Sequence, residues 1–161
     1  MGRLSNGQPF PKLQLPAAGG GTLSLPDDLA GHFGVVVIYR GSWCPYCNAQ
    51  LAAFQRASQT LDELDTRVVA VSADDEQTTQ RLIDKHHLEF TIGHSADVDK
   101  VADTTGAYVN EDPSDPRRYL QSTGFVLDPD GAVTTAVYSS GAIGRLVADD
   151  VIGLIRYLRV N

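Results

Sequence analysis

The pattern of apolar and polar positions divides the chain into alternating strands and helices. Gly34-Val35-Val36-Val37-Ile38-Tyr39 is an unbroken β-branched run behind a glycine, as expected of a central strand covered on both faces. From Asn48 to about Leu64, the residues Leu51, Phe54, Leu61 and Leu64 recur at helical spacing with alanines between them, which predicts one amphipathic helix. Arg67-Val68-Val69-Ala70-Val71-Ser72 predicts a second strand and completes a βαβ unit. The acidic run Asp74-Asp75-Glu76 then suits the positive end of a helix that reaches about His86. Phe90 to Ile92 reads as a short strand and Val98 to Thr104 as a short helix. Gly106 to Tyr119, interrupted by Pro113 and Pro116, reads as a loop.

The two ends carry further elements. Leu13-Gln14-Leu15 and Thr22-Leu23-Ser24-Leu25 flank Gly19-Gly20-Gly21 and predict a β-hairpin extension that decorates the main body. Gly124–Leu127 and Ala132–Tyr138 flank Asp128-Pro129-Asp130-Gly131, a turn sequence, so this pair is predicted to be an antiparallel hairpin. Leu146, Val147, Val151, Leu154, Ile155 and Leu158 predict a closing amphipathic helix. The order implies an α/β fold in which helices flank a mixed central sheet. With no repeat and no low-complexity linker, residues 1–161 are expected to form one domain.

Composition narrows the partners. The 13 basic and 20 acidic residues give a net charge of −7, so a phosphate-tracking surface finds no support and nucleic acid is not an expected partner. The longest apolar run, Val35 to Ile38, falls far short of the roughly 20 residues that cross a bilayer. Nor does an apolar signal segment follow Met1-Gly2-Arg3-Leu4-Ser5-Asn6-Gly7. The expectation is a soluble, cytoplasmic protein without a membrane partner; the sequence leaves open whether it pairs as a homodimer.

The chemistry is concentrated in two cysteines, Cys44 and Cys47, which sit as a single Cys-Pro-Tyr-Cys where the predicted central strand gives way to a helix. Closing so short a loop removes little entropy from the unfolded chain, so a stabilising staple is not the purpose of the pair. A thiol reacts as its thiolate, and an ordinary cysteine has a pKa of about 8.5. If the helix begins near Pro45, a residue suited to the first helical position, the Cys44 sulfur meets unsatisfied N–H groups and Cys47 lies nearly one turn deeper. Cys44 is then the nucleophile and Cys47 the thiol that closes a disulfide with it. This chemistry needs the Cys44 sulfur open to solvent and Cys47 on the same side. Arg40 and Ser42 stand just upstream, where they supply a charge and a hydroxyl or else face solvent and cap the helix. Trp43 either flanks the reactive centre or covers the sheet edge. The competing assignment is half of a zinc site. A structural zinc site generally takes four ligands, however, and there is no second Cys-x-x-Cys, while His86 and His87 are adjacent and His32 and His94 isolated. No metal ligand is therefore assigned.

Tyr39-Arg40-Gly41-Ser42-Trp43-Cys44-Pro45-Tyr46-Cys47 resembles the active-site stretch of peroxiredoxin-like proteins, the alkyl hydroperoxide reductase and thiol-specific antioxidant branch of the thioredoxin-fold superfamily. The resemblance runs from about Gln8 to Leu158. It includes Gly7-Gln8-Pro9-Phe10-Pro11-Lys12-Leu13 at the start, Phe125–Gly131 in the hairpin and Gly144-Arg145 before the final helix. It implies a thioredoxin-like fold and a thiol peroxidase that needs no cofactor. Such an enzyme takes a hydroperoxide as substrate and a thioredoxin-like protein or low-molecular-weight thiol as reductant. It also implies that Pro45, Tyr46 and an arginine, from among Arg40, Arg118 and Arg145, support Cys44.

Three positions depart from the family pattern. Proline seven residues and threonine or serine three residues before the first cysteine are usual, and here those positions are Val37 and Gly41. A catalytic arginine is usual near the start of the hairpin strand, where this chain has Gln121-Ser122-Thr123, with Arg117 and Arg118 slightly earlier and expected to reach back. The Cys-Pro-Tyr-Cys itself is identical to the glutaredoxin motif, but the cis-proline that glutaredoxins and thioredoxins carry before the facing strand is replaced by Thr123-Gly124. Two other functions compete: a thiol–disulfide oxidoreductase without peroxidase activity, and a non-catalytic metal- or partner-binding module.

Overall fold

Val35 and Val37 face one side of strand β3 (Phe33–Ile38) and Val36 and Ile38 the other, and all four are fully buried, each pair in a separate apolar cluster. A strand apolar on both faces needs a layer on each side, and this one has both. In the computed structural model, which describes residues 2–160, β3 is the middle of a five-stranded mixed sheet. Met1 and Asn161, the ends of the predicted domain, lie outside the described residues. The other strands are β4 (Thr66–Val71), β5 (Thr91–Gly93), β6 (Thr123–Leu127) and β7 (Val133–Tyr138), and the order is β5-β4-β3-β6-β7. The pairs β3–β4 and β4–β5 are parallel, while β3–β6 and β6–β7 are antiparallel.

On one face the sheet is covered by helices α1 (Pro45–Arg56), α2 (Ser58–Glu63), α3 (Glu76–His86) and α5 (Ala148–Val160), which bury Leu51, Phe54, Leu61, Leu82, Val151 and Ile155. The single helix expected from Asn48 to Leu64 is therefore two. It starts at Pro45 and breaks at Ala57, whose ψ of 3° leaves the helical range. The apolar period reported which residues are buried, because Phe54 and Leu61 enter the same cluster. An alanine at the break, a good helix former, offered no sign of it.

On the other face, helix α4 (Val98–Thr105) and strands β1 (Leu13–Pro16) and β2 (Thr22–Leu25) complete the fold. The β1–β2 hairpin forms its own small sheet, yet it is not a decoration. The leucine alternation in both strands puts Leu13, Leu15, Leu23 and Leu25 on one face, and all four are buried in the core. At about 1.5–3 kcal/mol for each large side chain removed from water, the hairpin is a structural wall of the sheet. Helices α3 and α4 start where acidic caps stand: Asp75 accepts the Thr78 amide at 2.7 Å and Asp97 the Lys100 amide at 3.2 Å. Among the described residues no helix is long and apolar enough to cross a membrane.

One close approach ties the sheet to the segment before α5. A β-carbon at Gly124, on β6, would lie 2.7 Å from Cβ and 3.0 Å from Cδ2 of Leu146. Gly124→Ala is expected to cost about 1–3 kcal/mol by overpacking, read as a lower midpoint in urea unfolding with an unchanged slope. A midpoint equal to that of the parent protein would show that this contact yields freely.

Candidate active site

Strand β3 ends at Ile38, the chain crosses Arg40 to Trp43, and α1 begins at Pro45, so Cys44 is the residue that caps the helix. Its sulfur accepts the Cys47 amide at 3.3 Å, a bond more often made by a serine or aspartate oxygen. Pro45 fits the first helical position because it has no N–H to leave unpaired. Ser42 does not cap the helix. Its amide donates to Asp74 Oδ2 at 2.8 Å, and its carbonyl accepts from Asn48 Nδ2 at 3.0 Å, which pins the loop that carries Trp43 and Cys44. Asp74 is partly buried, and burial lifts its carboxyl above the ordinary range against the pull of the Ser42 bond.

Each sulfur has its own guanidinium. Arg40 Nη1 donates to Cys44 Sγ at 3.6 Å, while its Nη2 donates to the Tyr119 hydroxyl and its Nε to Gln121 Oε1, both at 3.0 Å. Arg145 Nη1 lies 3.5 Å from Cys47 Sγ and 3.0 Å from Gln50 Oε1, and its Nη2 donates to the Ala142 carbonyl at 2.6 Å. The Arg40 amide also donates to Cys47 Sγ at 3.4 Å. Both cysteines are free thiols, and Arg40 reaches both sulfurs, its amide Cys47 and its guanidinium Cys44, so Cys47 is on the same side as Cys44.

The electrostatics split the pair. Burial pushes Cys44 up, but the Cys47 thiol and amide and the Arg40 guanidinium together outweigh it and hold Cys44 below the ordinary thiol range. Burial and the neighbouring Cys44 sulfur push Cys47 the other way, above that range, despite the bonds from the Arg40 amide and Arg145. Cys44 is thus the sulfur that ionises first.

Two expectations meet a different geometry. Both sulfurs are buried, with 0% of either cysteine exposed, whereas an open Cys44 was anticipated. The cover is thin: Arg40 touches the sulfur and is itself only partly buried. Trp43 is packed against Tyr119, ring centroids 4.7 Å apart, with the Arg117 guanidinium 3.6 Å above the indole. Arg118 does not reach the site. It pairs with Asp99 of α4, and of the two arginines before β6 it is Arg117, itself exposed, that lies over the Trp43 ring. Tyr46, 53% exposed, stands outside the pair with the Arg145 guanidinium 6.0 Å from its ring.

Tyr119, Gln121, Gln50 and Asp74 do not stand out in the sequence. Each acts by holding Arg40, Arg145 or Ser42 across 32 to 95 positions of chain, and no local spacing encodes such a contact. Among the described residues, no three histidine, cysteine or acidic side chains are grouped as metal ligands would be.

A family model described as the AhpC/TSA family matches residues 6–136, most of the chain. The chain belongs to the AhpC/TSA family. It is a thiol peroxidase of the peroxiredoxin type. Curated relatives named peroxiredoxin include one from Methanothermobacter thermautotrophicus, 28% identical over 160 residues, covering 96% of this chain and 73% of its own. Another, from Thermotoga petrophila, is 24% identical over 159 residues and covers 96% of this chain and 72% of its own. Among solved structures, Mycobacterium tuberculosis AhpC superposes with a TM-score of 0.80 at 20% identity, covering 98% of this chain and 94% of that one. The peroxidoxin BcpB of the same organism gives 0.82 at 18% identity, covering 98% and 99%. These structures share the thioredoxin-like fold.

Within this AhpC/TSA protein the arginine beside the first cysteine comes from the end of β3. The hairpin-start position holds Gln121, which accepts a hydrogen bond from that arginine. Arg40→Met is therefore expected to raise the Cys44 pKa. Thiolate absorbance and iodoacetamide reactivity report it: reactivity, present above the pKa and lost as pH falls through it, is expected to fade at a higher pH in the variant. An unchanged profile would assign the stabilisation to the helix terminus alone.

Proposed function

We propose that this peroxiredoxin reduces hydrogen peroxide or small organic hydroperoxides with Cys44 as the attacking thiolate and Cys47 as the resolving thiol. The observation that carries the proposal is the split within the pair, one sulfur held low at a helix N-terminus beside Arg40 and its partner held protonated within hydrogen-bonding reach. The Cys44 thiolate attacks the terminal oxygen of the hydroperoxide. An S–O bond forms, the O–O bond breaks, and the alkoxide or hydroxide that leaves takes a proton from water, so sulfur is oxidised to sulfenic acid as the peroxide is reduced. Cys47 then loses its proton beside Arg145 and attacks the Cys44 sulfur. The disulfide forms and the sulfenic oxygen leaves as water.

A thioredoxin-like protein or low-molecular-weight thiol restores the dithiol by exchange, and the cytoplasm is the compartment that supplies such reductants. Every electron in this cycle passes through sulfur, so no metal or organic cofactor is required. Exchange with protein disulfides alone is less well supported, because the strand facing the cysteines carries Thr123 and Gly124 where disulfide reductases present a cis-proline.

Stopped-flow mixing of the reduced protein with hydrogen peroxide is expected to show oxidation far faster than that of free cysteine, and a free-cysteine rate would remove the proposal. Cys44→Ser is expected to abolish the reaction. Cys47→Ser is expected to keep the first oxidation and accumulate sulfenic acid, trapped by dimedone, followed by overoxidised forms. Equal loss in both variants would contradict the division of roles.

A further inference from the structure

We infer that the indole N–H of Trp43, which itself fills the volume a side chain at position 41 would take, is a substrate-binding donor for a hydroperoxide that meets Cys44. The inference rests on the peroxidase cycle above and adds a group to its binding site. A β-carbon built on Gly41 would lie 2.2 Å from Trp43 Nε1, 2.8 Å from Cδ1 and 3.0 Å from Cε2. The N–H edge of the indole therefore occupies the volume into which a side chain at position 41 would project. No other residue type at 41 leaves Trp43 where it is.

The ring is held in that place by neighbours that also serve the sulfur. Tyr119 packs edge-on at 4.7 Å, Arg117 lies over the ring at 3.6 Å, and Arg40, whose Nη1 touches Cys44 Sγ, lies 4.9 Å from the indole centroid. The ring of Trp43 is engaged, but its one polar atom is not. Nε1 has no acceptor among the described residues, and it is not one of the sealed polar atoms without a partner, so it keeps contact with solvent. A fixed, unpaired donor on the loop that presents the nucleophile has the form expected of a preorganised binding group.

Its use follows from where charge develops. As the thiolate forms its bond to one peroxide oxygen, the other oxygen gathers the negative charge of the breaking O–O bond. A donor aimed at that oxygen strengthens through the transition state and contributes to rate rather than to ground-state binding. Trp43 donates a hydrogen bond and keeps its proton. The proton that completes the leaving alcohol or water comes from solvent.

The test compares two reactions of the same sulfur in the full chain. Iodoacetamide reports only how ionised and accessible Cys44 is, whereas hydrogen peroxide also requires donors for its oxygens. In Trp43→Phe, and in a protein carrying the benzothiophene isostere of tryptophan at position 43, the peroxide rate constant is expected to fall about 100- to 1,000-fold, the range seen when one such donor is removed. The iodoacetamide rate is expected to stay within about two-fold, since a charge-neutral edge contributes little to sulfur ionisation. The isostere preserves the ring, so its result stands even if the phenylalanine variant packs poorly. A peroxide rate unchanged in the isostere protein, or both rates falling together, overturns the inference. A parent protein that reacts with peroxide no faster than free cysteine overturns the peroxidase cycle instead and takes this inference with it.

Discussion

A helix that starts on a cysteine sets a sulfur against backbone N–H groups that have no partner inside the helix, and the bond from the Cys47 amide to Cys44 Sγ is the interaction on which this site depends. It exists because β3 delivers the chain from the middle of the sheet and Pro45 starts α1 at once. Magnitudes show why it does not suffice alone. One pKa unit corresponds to about 1.4 kcal/mol, while a helix terminus offers a nearby charge about 0.3–1 kcal/mol at an exposed site. Burial works against the thiolate and is the largest single influence on Cys44. The Cys47 thiol and amide oppose it first, and a charge-assisted bond, about 1.5–3 kcal/mol in general and at the lower end for a partly exposed group, adds to them. Arg40 supplies that bond.

Arg40 can do so because it is not free to leave. Gln121 and Tyr119, which lie at and just before the start of the β6–β7 hairpin, accept its Nε and Nη2 protons and leave Nη1 for sulfur. Arg145 is fixed in the same way by Gln50 and Ala142, with Nη1 towards Cys47. Two guanidiniums on two sulfurs would lower both pKa values if charge were the only influence. The values diverge instead, because burial raises Cys47, its bond to Cys44 holds its proton, and an ionised Cys44 opposes a second thiolate beside it. A pair built this way holds one negative charge at a time, and in the proposed cycle the second thiol becomes acidic only when the first has lost its charge to oxygen.

The architecture was legible because its signals are periodic. The β-branched run of β3, the leucine alternation of β1 and β2, and the Asp-Pro-Asp-Gly turn each state burial and direction locally, and the structure follows them. The position of Cys44 was legible too, since proline one residue after it marks a helix start. The shell around the cysteines was not. Which arginine lies over Trp43 depends on how the loop before β6 folds back, and Arg117 and Arg118 differ in nothing the sequence displays; Arg117 pairs with Asp115 and Arg118 with Asp99. The hairpin extension was misjudged for the opposite reason, since its pattern says that one face is apolar but not that the main sheet lacks a wall there.

Burial of the Cys44 sulfur looks at first like a contradiction of its chemistry, because a closed nucleophile reacts with nothing. What lies against it eases the conflict. Arg40 Nη1 is a donor whose acceptor is the sulfur itself. In the proposed cycle, a hydroperoxide that enters between them offers an oxygen to the same donor, so one acceptor replaces another and no buried charge is left unpaired. Beside Arg40, Trp43 and Tyr119 pack on each other, a contact of about 0.5–1.5 kcal/mol beyond its buried area, small beside the stability of a folded domain. Excluding bulk water until that exchange occurs keeps the local dielectric low, which strengthens the hydrogen bonds that a peroxide oxygen receives as it takes up charge. The same closure that raises the sulfur's pKa by burial therefore favours the transition state, provided that a donor replaces every bond the solvent would have made.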